Sequence, residues 1–125
     1  MSGTMDEPGG WLKDLFGAID GQDADRFASF LTPDASFRFG SAPAVNGGAT
    51  IAEAVRGFFA TIAGCRHRLA NTWSGDGTLV CEGEVTYRRR DGSEITLPFV
   101  NVFGMEGELI ADYKIYVDIG PLYSG

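Results

Sequence analysis

His67 is the only side chain in this sequence whose charge changes near neutral pH without help from its surroundings. It opens the stretch HRLAN, residues 67–71. A lone imidazole suits a general acid or base. Asn101 has groups that can orient a carbonyl or a water. Tyr113 can offer a phenolic hydroxyl from an apolar wall, although a buried tyrosine often only seats that hydroxyl on a backbone carbonyl. Glu82 and Glu84, brought together inside a cavity, would hold one carboxyl protonated. On a sheet surface they are solvated, which is the plainer reading. Cys65 and Cys81 form no C-x-x-C pair, and one histidine cannot complete the usual structural zinc set, so no metal is expected. Gly47-Gly48 lacks a phosphate-loop pattern, and no cofactor is expected. The run Arg88, Arg89, Arg90 reads as a solvated, charged hairpin tip.

These residues sit in a chain of 125 residues with a formal net charge of −7, a length suited to one domain with a real core. Such acidity argues against nucleic acid or an anionic membrane as partner, since both call for a basic face. The opening MSGTMDEPGG has neither the basic flank nor the apolar run of a secretory signal. No stretch approaches the roughly 20 apolar residues of a membrane span. A leader over residues 1–10, one domain over 11–125, and two reduced thiols in a cytoplasmic protein are the expectations.

Several elements must position the reactive groups. Trp11, Leu12, Leu15, Phe16 and Ile19 have the spacing of an amphipathic helix stopped at Gly21. Asp23 is placed to cap a second helix carrying Phe27, Phe30 and Leu31 and ended by Pro33. SFRFG (36–40) reads as a strand. Thr50 and Glu53 match a capping box before Ile51, Val55, Phe58 and Ile62, with Gly64 as a left-handed stop. From Cys65 the period changes to two, predicting strands at about 65–74, 78–90, 94–105 and 108–118. GDG, RDGS and MEGE separate them, so an antiparallel meander follows three helices and one early strand.

This order of elements resembles the nuclear transport factor 2-like superfamily, in particular its SnoaL-like branch. The resemblance runs from about Trp11 to Leu122, and its best markers are GQDADRFASFLTPDASF (21–37), HRLAN (67–71) and LPFVNVFGMEGELIADYKIYVDIGPL (97–122). It implies an α+β fold, a cone of helices on a strongly curved, mostly antiparallel sheet around an apolar pocket, usually in a homodimer. It also implies a choice among isomerase, cyclase, dehydratase and hydrolase chemistry or none. Ketosteroid isomerases keep a tyrosine on the first helix and an aspartate on the first strand. Those positions match Leu15 and Phe39, and the position of a second acid falls near Phe99 or Val100. Limonene-type epoxide hydrolases keep a catalytic aspartate where this chain has Ile115, and Asp118 matches a second, non-catalytic one. Their Arg-x-Asp pair meets Gly83 and Val85, or Glu82 and Glu84 in the other register. Both known catalytic sets are therefore missing.

If two central residues cross each turn, directly opposed residues share a face. That arithmetic gives an apolar face with Cys81, Gly83, Val85, Tyr87, Pro98, Val100, Val102, Tyr113 and Ile115, taken as concave. It puts His67, Glu82, Glu84, Phe99, Asn101, Phe103 and Asp112 on the outer face. The expected pocket wall is Leu15, Phe16, Phe39, Val55, Phe58, Val85, Val100, Tyr113 and Ile115, with Asn101 as an orienting group. The same residues would also serve as ordinary core. For His67 the resemblance disagrees with the arithmetic: an H-x-x-x-N start in some SnoaL-like and dehydratase relatives faces the cavity. Strand ends near the mouth bend, so His67 stays the catalytic candidate. The chain is expected to bind a small apolar molecule and to form a homodimer through its sheet. It would be either a cofactor-independent enzyme or a non-catalytic binding or dimerisation module.

Overall fold

Leu12, Leu15, Phe16 and Ala18 are buried, because the apolar stripe of the first helix turns toward a sheet that supplies the other half of the core. The computed structural model describes residues 8–124. Its elements are α1 (Pro8–Asp20), α2 (Ala24–Ala28), β1 (Leu31–Phe39), β2 (Val45–Asn46), α3 (Gly48–Phe59), β3 (Gly64–Gly75), β4 (Thr78–Arg88), β5 (Glu94–Glu106), β6 (Leu109–Tyr116) and α4 (Gly120–Ser124). The strands form one mixed sheet in the order β2-β1-β6-β5-β4-β3. β3 to β6 make the antiparallel meander, and β1 runs parallel to β6. Residues of α1, α2 and α3 share one buried cluster with one face of this sheet, which defines an α+β fold.

Register decides which side chains reach that face. At the β3–β4 turn Asp76 and Gly77 both have positive φ, 52° and 75°, as a two-residue hairpin of the primed type requires. Trp73 therefore opposes Val80 on the outer face. The pairing then slips: Asn71 opposes Glu82, but Leu69 opposes Gly83 and His67 opposes Val85. Ala70 is the extra residue of a bulge, and a one-residue slip reverses every side chain beyond it. His67 thus turns inward, which corrects the outer placement given by the turn arithmetic. Gly83 permits the close approach. A Cβ there would land on the carbonyl oxygen of Arg68 and within 2.9 Å of Leu69 Cα.

The face of β5 also needs correcting. Arg88 pairs with Glu94, so residues 89–93 cross the turn rather than two. Phe99, Asn101 and Phe103 consequently lie beside Gly83, Cys81 and Leu79 on the inner face, and Val100 with Val102 points outward. A second bulge, with Ala111 as its extra residue, lies between Gly104 opposite Asp112 and Met105 opposite Ile110. It offsets the odd count of the 89–93 turn, so Tyr113 and Ile115 face inward, as expected. These bulges bend the sheet around the helices.

Other boundaries move for local reasons. Residues 1–7 of the expected leader lie outside the described residues, while Pro8–Gly10 belong to α1. α2 stops at Ala28, and Leu31 already pairs with Ile110, so the strand begins before Pro33. Asp23 does cap α2, accepting from the backbone N–H of Arg26 at 3.0 Å. α3 starts earlier than the capping-box pattern implies: Gly47, at φ 94°, is the N-cap, with no side-chain cap bond, and Thr50 lies inside the helix. Ala60, not Gly64, ends α3 in right-handed geometry. The left-handed residue after α1 is Gln22 (φ 57°) rather than Gly21. The arginine run is engaged as well. Arg89 donates to the carbonyls of Leu122 and Pro121, each at 2.9 Å, and Arg90 donates to that of Ala60 at the end of α3.

Candidate functional site

α1 ends on a carboxylate, Asp20, with no basic residue in its last turn. A negative charge at the negative end of a helix is unfavourable, so this aspartate needs partners from elsewhere. β3 provides them. The backbone N–H of His67 donates to Asp20 Oδ2 at 2.9 Å, and His67 Nδ1 lies 2.6 Å from Asp20 Oδ1. Both side chains are largely shielded, with exposures of 10% for His67 and 28% for Asp20. The imidazole is held between two rings, Phe16 at 4.7 Å and Phe99 at 5.3 Å between centroids. In the neutral ring, an Nδ1–H donated to the carboxylate leaves Nε2 as the acceptor.

His67 lines a cavity of about 180 Å³ between the helices and the inner sheet face. Phe16, Phe39, Val55, Phe58, Val85, Asn101, Tyr113 and Ile115 of the expected wall line it too. Leu15 is fully buried in the core behind it, and Val100 is on the far side of the sheet. Phe27, Phe37, Phe59 and Tyr87 complete an aromatic lining, and the exposed Ala42, Pro43 and Ala54 mark its mouth. Polar atoms come from few lining side chains: Cys65, His67, Tyr87, Asn101 and Tyr113. Phe39 and Ile115 pair directly across β1 and β6.

Burial keeps the thiols and phenols of the lining neutral. It pushes the Cys65 thiol up to about 12, with the neighbouring Asp20 charge adding to the effect. The Cys81 thiol also rises to about 12, again through burial. The Tyr113 phenol is raised well above its ordinary value for the same reason, so it stays a hydroxyl. Asp20, Cys65 and His67 bring potential metal-ligand atoms within 4.8 Å of one another. A metal would need the Cys65 thiolate, against the shift that burial imposes.

Sequence reasoning missed Asp20, although a carboxylate ending a helix with no cation nearby is a readable signal. Glu82 and Glu84 lie on the outer face, where Glu82 accepts from Asn71 at 3.1 Å and Glu84 pairs with Arg68 at 2.5 Å. Asp112 pairs with Lys114 at 3.4 Å. Asp118 accepts from the backbone N–H of Gly120 at 3.0 Å.

The fold is the one seen in NTF2-like α+β proteins. The SnoaL-like domain family matches residues 12–113, and the chain belongs to that family. No curated protein matches it. Among solved structures it is similar to an NTF2-like protein of unknown function from Burkholderia pseudomallei K96243, with TM-score 0.80 and 17% identity over 89% of this chain and 90% of that one. It is also similar to TerC co-crystallised with polyporic acid, with TM-score 0.78 and 17% identity over 90% and 92% of the two chains. A third similar structure is an LEH-like epoxide hydrolase from M. tuberculosis, with TM-score 0.74 and 15% identity over 86% and 80%. No helix among the described residues is long and apolar enough to cross a membrane.

Proposed function

We propose that this protein is a cofactor-independent enzyme that moves protons on a small, mostly apolar substrate held in the aromatic cavity. The carrying observation is the pairing of His67 Nδ1 with Asp20 Oδ1 at 2.6 Å on the cavity wall. In this reading Asp20 fixes the tautomer and steadies the imidazolium that forms. Nε2 of His67 removes a proton from a C–H, an O–H or a water and returns it to a second atom. Isomerisation can be that transfer alone, whereas cyclisation, dehydration and hydrolysis couple it to making or breaking a C–C or C–O bond, with water taken up or released in the last two. Tyr113 remains a neutral donor, and the rings of Phe16 and Phe99 keep bulk water from the base. Apolar lining with few polar groups is the usual composition of a small-molecule site.

The experiment is a thermal-shift and native mass-spectrometry screen of polyketide-, steroid- and terpene-like ligands, followed by product analysis of the binders. Wild type is expected to bind and convert at least one, while His67→Ala binds without converting it. Conversion that survives His67→Ala would remove the proposed base. No stabilisation by any apolar ligand would remove the cavity as a binding site.

A second proposal concerns assembly: two copies pair through their outer sheet faces. The support is the exposure of Trp73 at 54% and Tyr116 at 55% on that face, beside outward-facing Val80, Val100 and Val102. Large aromatics in the open are the residues that interfaces favour. Two free thiols fit a reducing compartment, and cytoplasmic residence belongs to the same proposal.

A further inference from the structure

Asn101 is 2% exposed, and its Oδ1 has no hydrogen-bond partner among the described residues. An asparagine in the middle of a central strand runs against local preference, and an orphaned buried acceptor costs about as much as a lost hydrogen bond. A leucine of similar size would fill the site without that penalty. Around the amide stand Cys81 on β4, Ile115 on β6, and Phe99 and Phe103 two residues away on β5. Few of these groups could hold a water, which needs two to four polar partners. The unmet acceptor belongs to a side chain that lines the cavity.

We infer that the ligand of this cavity is a compact one- or two-ring molecule carrying a hydroxyl or N–H that donates to the side-chain carbonyl of Asn101. The inference rests on the proposed binding cavity and names its substrate class. Size follows from volume: a dry cavity of roughly 150 Å³ holds benzene, and this one measures about 180 Å³ with an open mouth. Four fused rings exceed it. Donor character follows from the orphaned atom, because a carbonyl oxygen only accepts. The reach between the polar ends is short. Phe99 touches the His67 ring at 5.3 Å and precedes Asn101 by two residues on the same face of β5. A single aromatic ring laid against Phe99 can therefore meet the Asn101 carbonyl while presenting a reacting atom toward His67. A pure hydrocarbon, an ether or a ketone would leave the acceptor unpaired and bind less well.

Titration calorimetry with 2-naphthol, 2-methylnaphthalene and 2-methoxynaphthalene tests this, since the three share a ring system and differ in donor capacity. Wild type is expected to favour 2-naphthol over both others by about five- to tenfold, the worth of one hydrogen bond. Asn101→Leu is expected to lose that preference and to melt no lower than wild type. His67→Ala is expected to keep it. Equal affinity for all three in wild type would overturn the assignment of Asn101 and leave the binding cavity standing. Equal binding of naphthol and its methyl ether would do the same, because the amide would then be donating. Binding of none would overturn both. If Asn101→Leu fails to fold, His67→Ala decides the matter: it removes the other free acceptor of the cavity, and loss of the naphthol preference in it would overturn the assignment of Asn101.

Discussion

Asp20 and His67 stand 47 positions apart in the chain and 2.6 Å apart in space. The contact joins the last residue of a helix to the inward-turned segment of a strand. Each partner supplies what the other lacks: the helix end needs donors, and the imidazole needs a fixed tautomer.

Asp20→Asn is accordingly expected to fold and to lose turnover by about 10²- to 10⁴-fold, with a smaller change in ligand affinity. Nitrogen-15 spectra of the imidazole give a readout that needs no substrate. Wild type should hold its proton on Nδ1, and the variant should populate both tautomers. A tautomer unchanged by the substitution would show that Asp20 plays no positioning part.

Gly83→Ala is expected to be among the most damaging single-methyl additions in the sheet. Its Cβ would meet the backbone of Arg68 and Leu69 rather than a side chain that can swing away. A loss of about 2 kcal/mol or more in urea unfolding is expected, with the His67–Asp20 contact disturbed in the same variant. A neutral result would mean that the bulge yields easily.

Alkaline stability follows from the two thiols. Folded, both ionise near pH 12, against an ordinary 9.0. Between those limits the unfolded chain has released protons that the folded chain still holds, so stability falls as pH rises. The loss is at most roughly 1.4 kcal/mol per pH unit for each thiol. Urea titrations at pH 8, 9 and 10, below the range where phenols add their own loss, should show the decline, and Cys81→Ala should roughly halve its slope. A pH-independent midpoint would contradict the buried, protonated state of the thiols.

Arg89→Ala is expected to free α4, since one guanidinium holds the carbonyls of both Pro121 and Leu122. Hydrogen exchange should speed up in residues 120–124, and the melting temperature should drop by a few degrees. Unchanged exchange there would assign α4's position to the burial of Leu122 alone.

Trp73→Glu on the outer face should leave the melting temperature of the chain within a few degrees. Light scattering after size exclusion should then report a dimer for wild type and a monomer for the variant. A wild-type monomer at micromolar concentration would rule out the proposed pairing.

Much of the fold could be read from residue patterns, because period and turn chemistry are local. The stripe Leu12, Leu15, Phe16, the Asp23 cap and the Asp76-Gly77 turn each report on their own surroundings. The parallel pairing of β1 with β6 could not be read this way, since nothing within Leu31–Phe39 names a partner some 75 residues on. The site was harder still. Val85, Tyr113 and Ile115 were placed on the correct face. Asn101 and His67 depended on counts that one residue reverses, in the 89–93 turn and at Ala70. Their chemistry was visible in the sequence, and their direction was not.

That dependence on counting makes strand register a determinant of what the cavity contains. Drawing Ala70 into the ladder opposite Gly83 would restore unbroken pairing and reverse everything before it. Arg66 and Arg68 would then point where Cys65 and His67 now point, and Asp20 would face a guanidinium instead of an imidazole. A slip of one residue, touching no reactive side chain, would put permanent cations where the imidazole now stands. In such a sheet new chemistry can arise through a change of register as readily as through substitution.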